Sequence, residues 1–549
     1  MDTEVLIVGA GPTGLMLANQ LGRRGIGAMI VDRHSGAAQH SRAMVVHART
    51  LEIYSKLGIA EQALELGRRG NGADMWTQGK WTARIPLGEI GKSVSPFPFV
   101  LMLGQDDNER IMGDHLRNWD MTVQWNTELT ALQQESGYVT ATLTQPDGTS
   151  RKITAAYVAG CDGGHSAVRE LSGITFPGAP YEHVFFVADT VATGPMVPDE
   201  LNVYLWRDGF HLFFPMRGTD RWRVIGILPK KLRERNDLTF EMLSPDIRRE
   251  AGTNLAFKEC LWFSTYRIHH RAAQKFRDRR CFLLGDAAHV HSPMGGQGMN
   301  TGLQDAYNLA WKLAFVVKGK ADEALLGSYE AERMPVAQRL LSTTDRAFTL
   351  VVSDSWLAGL FRTRILAKIA AFAMTFERTQ QLAFRTISQT GIAYREGPLS
   401  QTLAGVPDDA PHAGDRFPWL HLKMRPDGPV EDIFKVLDDT HYNLVIVGQP
   451  TPSRTALEMG DLLLTHVIPD DPHNTKEIKR AGITEPAFYL VRPDGHIGLA
   501  GGHLAPSAVT QYFSKCFIRT QTGNTGASKT MGKPQHAPVA SHKYGDTNG

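Results

Sequence analysis

The stretch Glu4-Val-Leu-Ile-Val8-Gly9-Ala10-Gly11-Pro12-Thr13-Gly14 passes from an apolar run directly into a glycine-rich turn. Residues 4–8 predict a buried parallel strand, and the pattern that follows predicts a helix at 15–24 and a second strand at 28–32. In such a βαβ unit the glycines allow a tight turn, close approach to a phosphate and close helix packing. We therefore predict a dinucleotide-binding domain whose phosphate-binding turn comprises Gly9, Gly11, Pro12, Thr13 and Gly14.

A carboxylate at the end of the second strand supports this interpretation. Asp32 lies 23 residues after Gly9, where a carboxylate accepts hydrogen bonds from the ribose of a dinucleotide. The adjacent Arg33 is included in the predicted site. The alternative is an ordinary glycine-rich turn without a ligand, and this motif alone does not distinguish FAD from NAD.

The bulk composition excludes several classes of function. The 549 residues are 42% hydrophobic and 21% charged, with a formal net charge of +2, which predicts two or three globular domains and neither nucleic acid nor membrane as a partner. The four cysteines form no CxxC pair and no zinc spacing, and the acidic start of the chain is not a signal peptide. His289 and His291 lack a third ligand, so no metal site is expected. We expect a cytoplasmic protein.

The pattern along the chain indicates several regions. Alternating aromatic strands at 176–270 predict a separate substrate-binding sheet, and strand and helix signals then return as far as about residue 395. A turn-rich linker near 407–415 precedes a further domain. The predicted regions are 1–175 and 271–400 for the dinucleotide-binding domain with a helical segment, 176–270 for the sheet, 401–518 for the C-terminal domain and 519–549 for a disordered tail.

Two further motifs follow predicted strands. Residues 161–169 read Cys-Asp-Gly-Gly-His-Ser-Ala-Val-Arg, and residues 285–289 read Gly-Asp-Ala-Ala-His, with Pro293 and a glycine cluster behind them. With the first turn, in this order and spacing, they resemble the group A flavoprotein aromatic monooxygenases, the family of para-hydroxybenzoate hydroxylase and phenol hydroxylase. The resemblance covers nearly the whole chain and is closest to chlorophenol and nitrophenol monooxygenases. It implies an α/β fold: a Rossmann-type FAD-binding domain, an interleaved mixed-sheet substrate domain and a C-terminal thioredoxin-like domain.

The resemblance also implies which residues hold FAD. Asp286 would bind the ribityl hydroxyls, with a helix N-cap as its structural alternative. The helix that starts near Gly298 would direct its amides at the flavin, where a helix N-terminus stabilises negative charge by about 0.3–2 kcal/mol. Asp162 and Gly163 match an element that handles both FAD and the nicotinamide coenzyme. The other implied FAD contacts are Arg42, Gln105, Met299 and Asn300; for Arg42 and Gln105 a surface or helix-start role is the alternative.

The implied reaction is hydroxylation of a small phenolic aromatic substrate by O2 and NADPH or NADH, through a C4a-hydroperoxyflavin. The protein would exclude water, orient the ring and help to remove the phenolic proton. A phenol and a histidine differ by about 3.5 pKa units, or ~5 kcal/mol, so a histidine base needs help from binding or from an acidic phenol. His47 is the candidate base, with a helix-start or packing role as its alternative, and Pro293 would lie at the flavin face. A nitro or halogen substituent at the attacked carbon would be released.

The alternating strands supply candidate substrate contacts, namely Tyr204, His211, Phe213 and Arg223. Alternation places His211 and Phe213 on one face, although strand aromatics more often belong to the core. Two other functions stay open: a polyketide-tailoring oxygenase, including Baeyer–Villiger chemistry, and a non-catalytic FAD-binding regulatory protein. A flavin halogenase is disfavoured because residues 222–229 lack the W-x-W-x-I-P pattern. We also expect a homodimer, and a C-terminal domain that lacks CxxC and therefore has a structural or dimerisation role.

Overall fold

The computed structural model describes residues 1–38, 43–70, 72–86, 88, 91–207, 209–235, 237–291, 294–352, 376–450 and 459–519. Arg42, Pro293 and the predicted tail from residue 520 onward lie outside the described residues. None of the described helices is both long enough and apolar enough to cross a lipid bilayer.

Helices and strands alternate through most of the chain. The helices are α1 Pro12–Arg23, α2 Ala48–Leu57, α3 Ala60–Leu66, α4 Gln105–His115, α5 Ala167–Leu171, α6 Phe240–Ala251, α7 Gln297–Val317, α8 Gly327–Val352, α9 Glu377–Ile387, α10 Ile433–Val436, α11 Pro472–Arg480 and α12 Pro506–Lys515. The strands up to residue 160 are β1 Thr3–Val8, β2 Ala28–Val31, β3 Val45–Val46, β4 Arg68–Gly70, β5 Ala73–Thr77, β6 Lys80–Ile85, β7 Val100–Met102, β8 Val123–Gln124, β9 Glu128–Gln134, β10 Val139–Thr144 and β11 Ser150–Gly160. The later strands are β12 Gly178–Thr193, β13 Leu201–Trp206, β14 Gly209–Pro215, β15 Arg221–Ile227, β16 Ala256–Ala272, β17 Arg277–Asp278, β18 Cys281–Leu283, β19 His289–Val290, β20 Gln401–Thr402, β21 His421–Lys423, β22 Val430–Asp432, β23 Tyr442–Val447, β24 Leu463–Val467, β25 Ala487–Val491 and β26 Ile497–Gly501.

The predicted βαβ unit is confirmed. Strand β1 pairs in parallel with both β2 and β11, in a sheet of order β17-β18-β11-β1-β2-β8 that β10 and β9 extend from β11. Strands β11 and β18 are also parallel. The carboxyl ends of β1, β11 and β18 therefore lie at the same edge of the sheet, and the three glycine-containing motifs follow these three ends. Ligands of doubly wound sheets bind at this edge.

A second sheet of eight strands has the order β19-β16-β12-β15-β14-β13-β5-β6. Its centre, β12 to β16, is the predicted substrate sheet. Strands β5, β6 and β19 also belong to it, although they lie outside the predicted region 176–270. Sequence alternation identified the long central strands, but it gave no sign that a hairpin about a hundred residues earlier pairs with their edge.

The C-terminal region forms its own mixed sheet of order β20-β26-β25-β23-β24. Strands β23 and β25 pair in antiparallel fashion within it. Helix α7 is shared between the cofactor domain and the C-terminal domain, because Trp311 and Phe315 pack into the same buried cluster as Tyr442, Leu490 and Tyr512. The thioredoxin-like character of this domain stays a prediction.

Candidate active site

The turn after β1 leaves room for a ligand at Gly11. A Cβ added to Gly9, whose φ is +102°, would lie 2.4 Å from the Cys161 carbonyl oxygen, and one added to Gly14 would lie 1.9 Å from the Gly9 oxygen. A Cβ on Gly11 would meet nothing within 4 Å. Since Gly11 is the N-cap of α1, this open space lies at the positive end of a helix dipole, which suits a pyrophosphate.

Thr13 connects this turn to the third motif. A Cβ on Gly285 would lie 2.7 Å from Thr13 Oγ1, and one on Gly302, in α7, would lie 2.3 Å from it. Glycine at both positions lets α7 and the third motif approach α1 closely. Pro12 occupies the first turn of α1, where no backbone donor is needed.

Asp32 links the first turn to the end of β2. Its Oδ2 accepts a hydrogen bond from the Ala10 amide at 2.7 Å, and its Oδ1 accepts one from the His34 amide at 2.8 Å. The carboxylate is 12% exposed, so it stays accessible to a ribose hydroxyl. The neighbouring Arg33 is exposed.

Gln105 is the first residue of α4, as the helix-start alternative predicts. Its Nε2 donates to Glu109 Oε1 at 2.9 Å, and Glu109 Oε2 accepts from the Ala38 amide at 2.9 Å. Burial raises the pKa of Glu109. Glu109 therefore links Gln105 to Ala38, in the segment that follows Asp32.

The second motif turns sharply after β11. Gly163 has a φ of +78°, and Asp162 Oδ2 accepts from the Val168 amide at 3.2 Å. Asp162 Oδ1 is buried and has no hydrogen-bond partner among the described residues, and burial raises the pKa of this carboxyl. An unsatisfied buried acceptor at this edge of the sheet fits a ligand that supplies a hydrogen-bond donor.

The third motif is held in place by Asp305. The Asp305 carboxylate accepts from the Gly285 amide at 3.0 Å and from Arg333 Nε at 2.6 Å, and its Oδ2 lies 2.7 Å from His289 Nε2. Asp286 is exposed in the short 3-10 helix Gly285–Ala287, whose N-cap is Leu284 rather than Asp286. Asp305 thus fixes the loop from its buried side, and the Asp286 side chain lies on the surface; its contact with a ribityl chain stays a prediction.

Asn300 fixes the start of α7. Its Nδ2 donates to the carbonyl oxygens of Val45 at 2.8 Å and Gly296 at 2.9 Å, while its Oδ1 accepts from the His47 amide at 2.9 Å and from Thr50 Oγ1 at 2.8 Å. The side-chain amide therefore has no capacity left for a flavin. Of the neighbouring predicted contacts, Gly298 lies in the first turn of α7, and Met299 packs partly against the main core.

His47 is the N-cap residue of α2, as its helix-start alternative predicts. Its ring is buried, and Nε2 lies 2.8 Å from the Gly295 carbonyl oxygen. Burial lowers the pKa of His47 to about 4. The imidazole is therefore neutral at neutral pH and carries its proton on Nε2, where it donates to Gly295.

Three of the predicted substrate contacts lie on the face of the second sheet that is turned away from the cofactor domain. Tyr204 and Phe213 pack in a cluster with Leu243 of α6. His211 lies 3.0 Å from Glu250, also on α6. Period-two alternation shows which residues share a face, but not which face meets the cofactor domain. A substrate contact of Tyr204, His211 and Phe213 stays a prediction, and their position favours the packing role that was its alternative.

The opposite face of the sheet packs against the cofactor domain. Its cluster joins Val187, Phe214 and Ile225 to residues of β3 and β7. Arg223 alternates onto this face with Ile225, and donates to Asp189 from Nε at 2.6 Å and from Nη2 at 2.8 Å. Arg223 Nη1 is buried without a hydrogen-bond partner among the described residues. Of the four predicted substrate contacts, Arg223 thus lies on the face that packs against the cofactor domain.

Sequence reasoning missed three polar residues of this region: Asp189, Asp305 and Arg333. Each is charged but buried in the fold. A charged residue in a helix or strand usually indicates a solvent-exposed face. Only the tertiary pairings identify these side chains as buried, and no local signal could have done so.

Comparison with known proteins agrees with this geometry. A family model described as an FAD binding domain matches residues 2–344, and 6-methylpretetramide 4-monooxygenase of Streptomyces rimosus is 31% identical over 97% of this chain and 96% of its own length. The chain belongs to the flavoprotein aromatic monooxygenases. It is an FAD-dependent monooxygenase.

Two other members of the family are similar over most of the chain. Pentachlorophenol 4-monooxygenase of Sphingobium chlorophenolicum is 33% identical over 77% of each chain. The solved structure of anhydrotetracycline hydroxylase from Streptomyces rimosus superimposes with a TM-score of 0.74 at 27% identity, covering 95% of this chain and 100% of that one. These flavoprotein monooxygenases differ in the substrates that their names give, so membership of the family does not specify a substrate.

The open space at Gly11 yields a test of the cofactor site. We expect Gly11→Ala to lower FAD affinity at least about tenfold, because its methyl group fills the space open to the pyrophosphate. The thermal midpoint of the apoprotein should shift by no more than about 3 °C. Gly14→Ala should lower both the FAD affinity and the thermal midpoint, since its Cβ would clash with the Gly9 oxygen. Flavin fluorescence titration and thermal unfolding measure these effects.

Gly113→Ala is the matched control. A Cβ added there also meets nothing within 4 Å, but Gly113 lies near the C-terminal end of α4 and not in the turn after β1. It should leave FAD binding unchanged. Wild-type FAD affinity in Gly11→Ala would show that the pyrophosphate does not pass this turn.

Proposed function

We propose that this monooxygenase hydroxylates a phenolic aromatic ring, consuming O2 and NAD(P)H. One oxygen atom enters the ring as a hydroxyl group, the other leaves as water, and two electrons come from the reduced nicotinamide. FAD, when bound, supplies the activation of O2. The observation that carries the proposal is the apolar sheet face, with one buried guanidinium beside it, packed against strands β3 and β7 of the cofactor domain.

The apolar cluster supports the exclusion of water. Val187, Phe214 and Ile225 of the sheet pack against Met44, Val45 and Met102 of the cofactor domain. Water near a reactive oxygen species would divert it to peroxide, and apolar walls prevent this. Methionine side chains are flexible and polarisable, so the two methionines can adapt to a flat ring.

Arg223 supports the recognition of a ring oxygen. Two of its nitrogens are bound to Asp189, and Nη1 is the donor without a described partner. A phenolic oxygen that reaches Nη1 would complete its hydrogen bonding. A charged donor also stabilises a developing phenolate, the more electron-rich form of the ring.

A polycyclic phenol is one of two candidate substrate classes. The observation that favours it is the extent of the apolar face, which continues into a further cluster of Met75, Phe185, Leu205, Phe210 and Ile227. The similarity to 6-methylpretetramide 4-monooxygenase over 97% of this chain also supports this class. A halogenated or nitro-substituted monocyclic phenol, with release of the substituent, is the alternative that pentachlorophenol 4-monooxygenase supports.

The substrate test uses the purified FAD-loaded protein. We expect NADPH or NADH oxidation to accelerate with at least one phenol from a panel of monocyclic, halogenated, nitro-substituted and polycyclic compounds, and the product to gain one oxygen atom. Oxygen uptake, mass spectrometry and halide or nitrite release measure the outcome. A lactone or ester product would indicate Baeyer–Villiger chemistry instead. If no compound accelerates oxidation and no peroxide forms, the hydroxylase proposal fails and a regulatory role is favoured.

Arg223→Lys tests the recognition of the ring oxygen. Lysine keeps the charge opposite Asp189 but has no planar fork, so we expect KM to rise about tenfold or more while kcat changes less. Arg221→Lys is the control, since Arg221 is exposed on the same strand. Equal KM values for Arg223→Lys and the wild type would remove Arg223 from the substrate site.

The geometry of His47 favours a positioning role over proton abstraction. Proton transfer from a phenol of pKa ~10 to the His47 imidazole, whose pKa is about 4, is uphill by ~8 kcal/mol. We expect His47→Ala to lower kcat at least about tenfold by releasing the Gly295 turn, equally for phenols of different acidity. His47→Gln can still donate to the Gly295 oxygen and should recover most of the rate. A loss that grows with phenol pKa and is not recovered by glutamine would restore His47 as the base.

A further inference from the structure

Three helices of the cofactor domain start beside the predicted FAD contacts. Helix α1 begins after Gly11, α2 after His47 and α7 after Gly296. Farther along, each of these helices contacts the C-terminal domain.

The far end of α1 is bound by Asp439. Arg23 donates to Asp439 Oδ1 from Nε at 3.0 Å and from Nη2 at 2.9 Å, and Arg24 Nη2 donates to the Asp439 carbonyl oxygen at 2.6 Å. The two arginines lie at the negative, C-terminal end of the α1 dipole, so both the helix and Asp439 stabilise their positive charges. Asp439 is only 4% exposed, so solvent screens these pairs weakly.

Helix α2 is held at both ends. Arg49 Nη2 donates to the Asp494 carbonyl oxygen at 2.6 Å. Lys56 donates to the carbonyl oxygens of Phe434 and Leu437. The helix therefore cannot slide relative to the C-terminal domain without breaking one of these contacts.

The same two aspartates also hold α7. Tyr307 donates its hydroxyl toward Asp439 Oδ2 at 3.3 Å and the Pro493 oxygen at 3.2 Å. Trp311 Nε1 donates to Asp494 Oδ2 at 3.1 Å. Asp439 thus joins α1 to α7, and Asp494 joins α2 to α7.

We propose that the C-terminal domain, through Asp439 and Asp494, positions the three helices that form the FAD cradle and thereby sets the affinity for FAD. Both aspartates are positioning residues. The proposal depends on FAD binding and not on the proposed substrate, so a failed hydroxylase test leaves it standing.

The test is a double variant, Arg49→Met with Tyr307→Phe. It detaches α2 from Asp494 and loosens α7, and Glu52 stays paired with Ser95 at 2.7 Å and Arg416 at 3.2 Å. We expect the dissociation constant for FAD to rise at least about tenfold. Hydrogen exchange of the amides at 47–51 and 296–301 should also accelerate in the apoprotein.

Arg480→Met is the matched control. Arg480 Nη1 donates from α11 to the Ser93 oxygen at 2.7 Å, which connects the two domains without contacting any of the three helices. Its FAD affinity should stay within about twofold of the wild type.

Two results would overturn the proposal. One is an FAD dissociation constant for the double variant within about twofold of the wild type, with unchanged exchange at the helix starts. The other is an equal loss of affinity in Arg480→Met, which would mean that the domain only adds general stability. If the double variant does not fold, Tyr307→Phe alone removes a single hydroxyl, and we expect it to weaken FAD binding at least about threefold; no change would count against the proposal.

Discussion

The side-chain amide of Asn300 is completely buried and makes four hydrogen bonds, to Val45, Gly296, His47 and Thr50. These partners belong to β3, the glycine turn before α7 and the start of α2, which are distant in sequence. If one of these segments moved away, a buried polar atom would lose its partner at a cost of about 1–3 kcal/mol. The segments therefore move together, and Asp305, one turn and a half farther along α7, holds the Gly285 loop in the same way. Both anchors are on one helix, so the orientation of α7 determines how β3, the start of α2 and the Gly285 loop lie relative to one another.

The junction with the C-terminal domain shows why that orientation is fixed by charges. Glu332, Arg492, Asp494 and Lys312 are almost fully buried and paired. The two cations lower the pKa of Glu332 to about 2 in spite of its burial. An apolar junction of similar volume would be about as stable, whereas loss of one member of a buried network costs about 3–5 kcal/mol. The network therefore fixes the relative position of the two domains more than it adds to the free energy of unfolding. Apolar surfaces can slide past each other, whereas paired guanidinium and carboxylate groups match in one arrangement only.

Local requirements explain which features the sequence could predict. Gly9 and Gly14 are required by close approaches within one turn, so the βαβ unit and its motif are visible in the sequence. The remaining site depends on pairings across long separations, such as Arg333 with Asp305 or β5 with β13. Alternation on β14 correctly put His211 and Phe213 on one face, yet α6 covers that face, and no residue of β14 carries this information. The burial of His47 likewise follows from the glycine turn packed over it, and not from its neighbours in sequence.

The ion pair between Arg223 and Asp189, on the opposite face of the sheet, determines which donor the proposed substrate contact would use. Asp189 occupies Nε and Nη2 of Arg223, one side of the guanidinium fork. The guanidinium has further N–H donors beyond the two that Asp189 accepts from, and its Nη1 is buried without a hydrogen-bond partner among the described residues. A single phenolic oxygen needs only Nη1 and leaves the pair intact. In the proposed function, the pair with Asp189 would therefore hold the guanidinium in place and leave a charged donor for the ring oxygen, while the apolar face beside it would place few demands on the rest of the ring system.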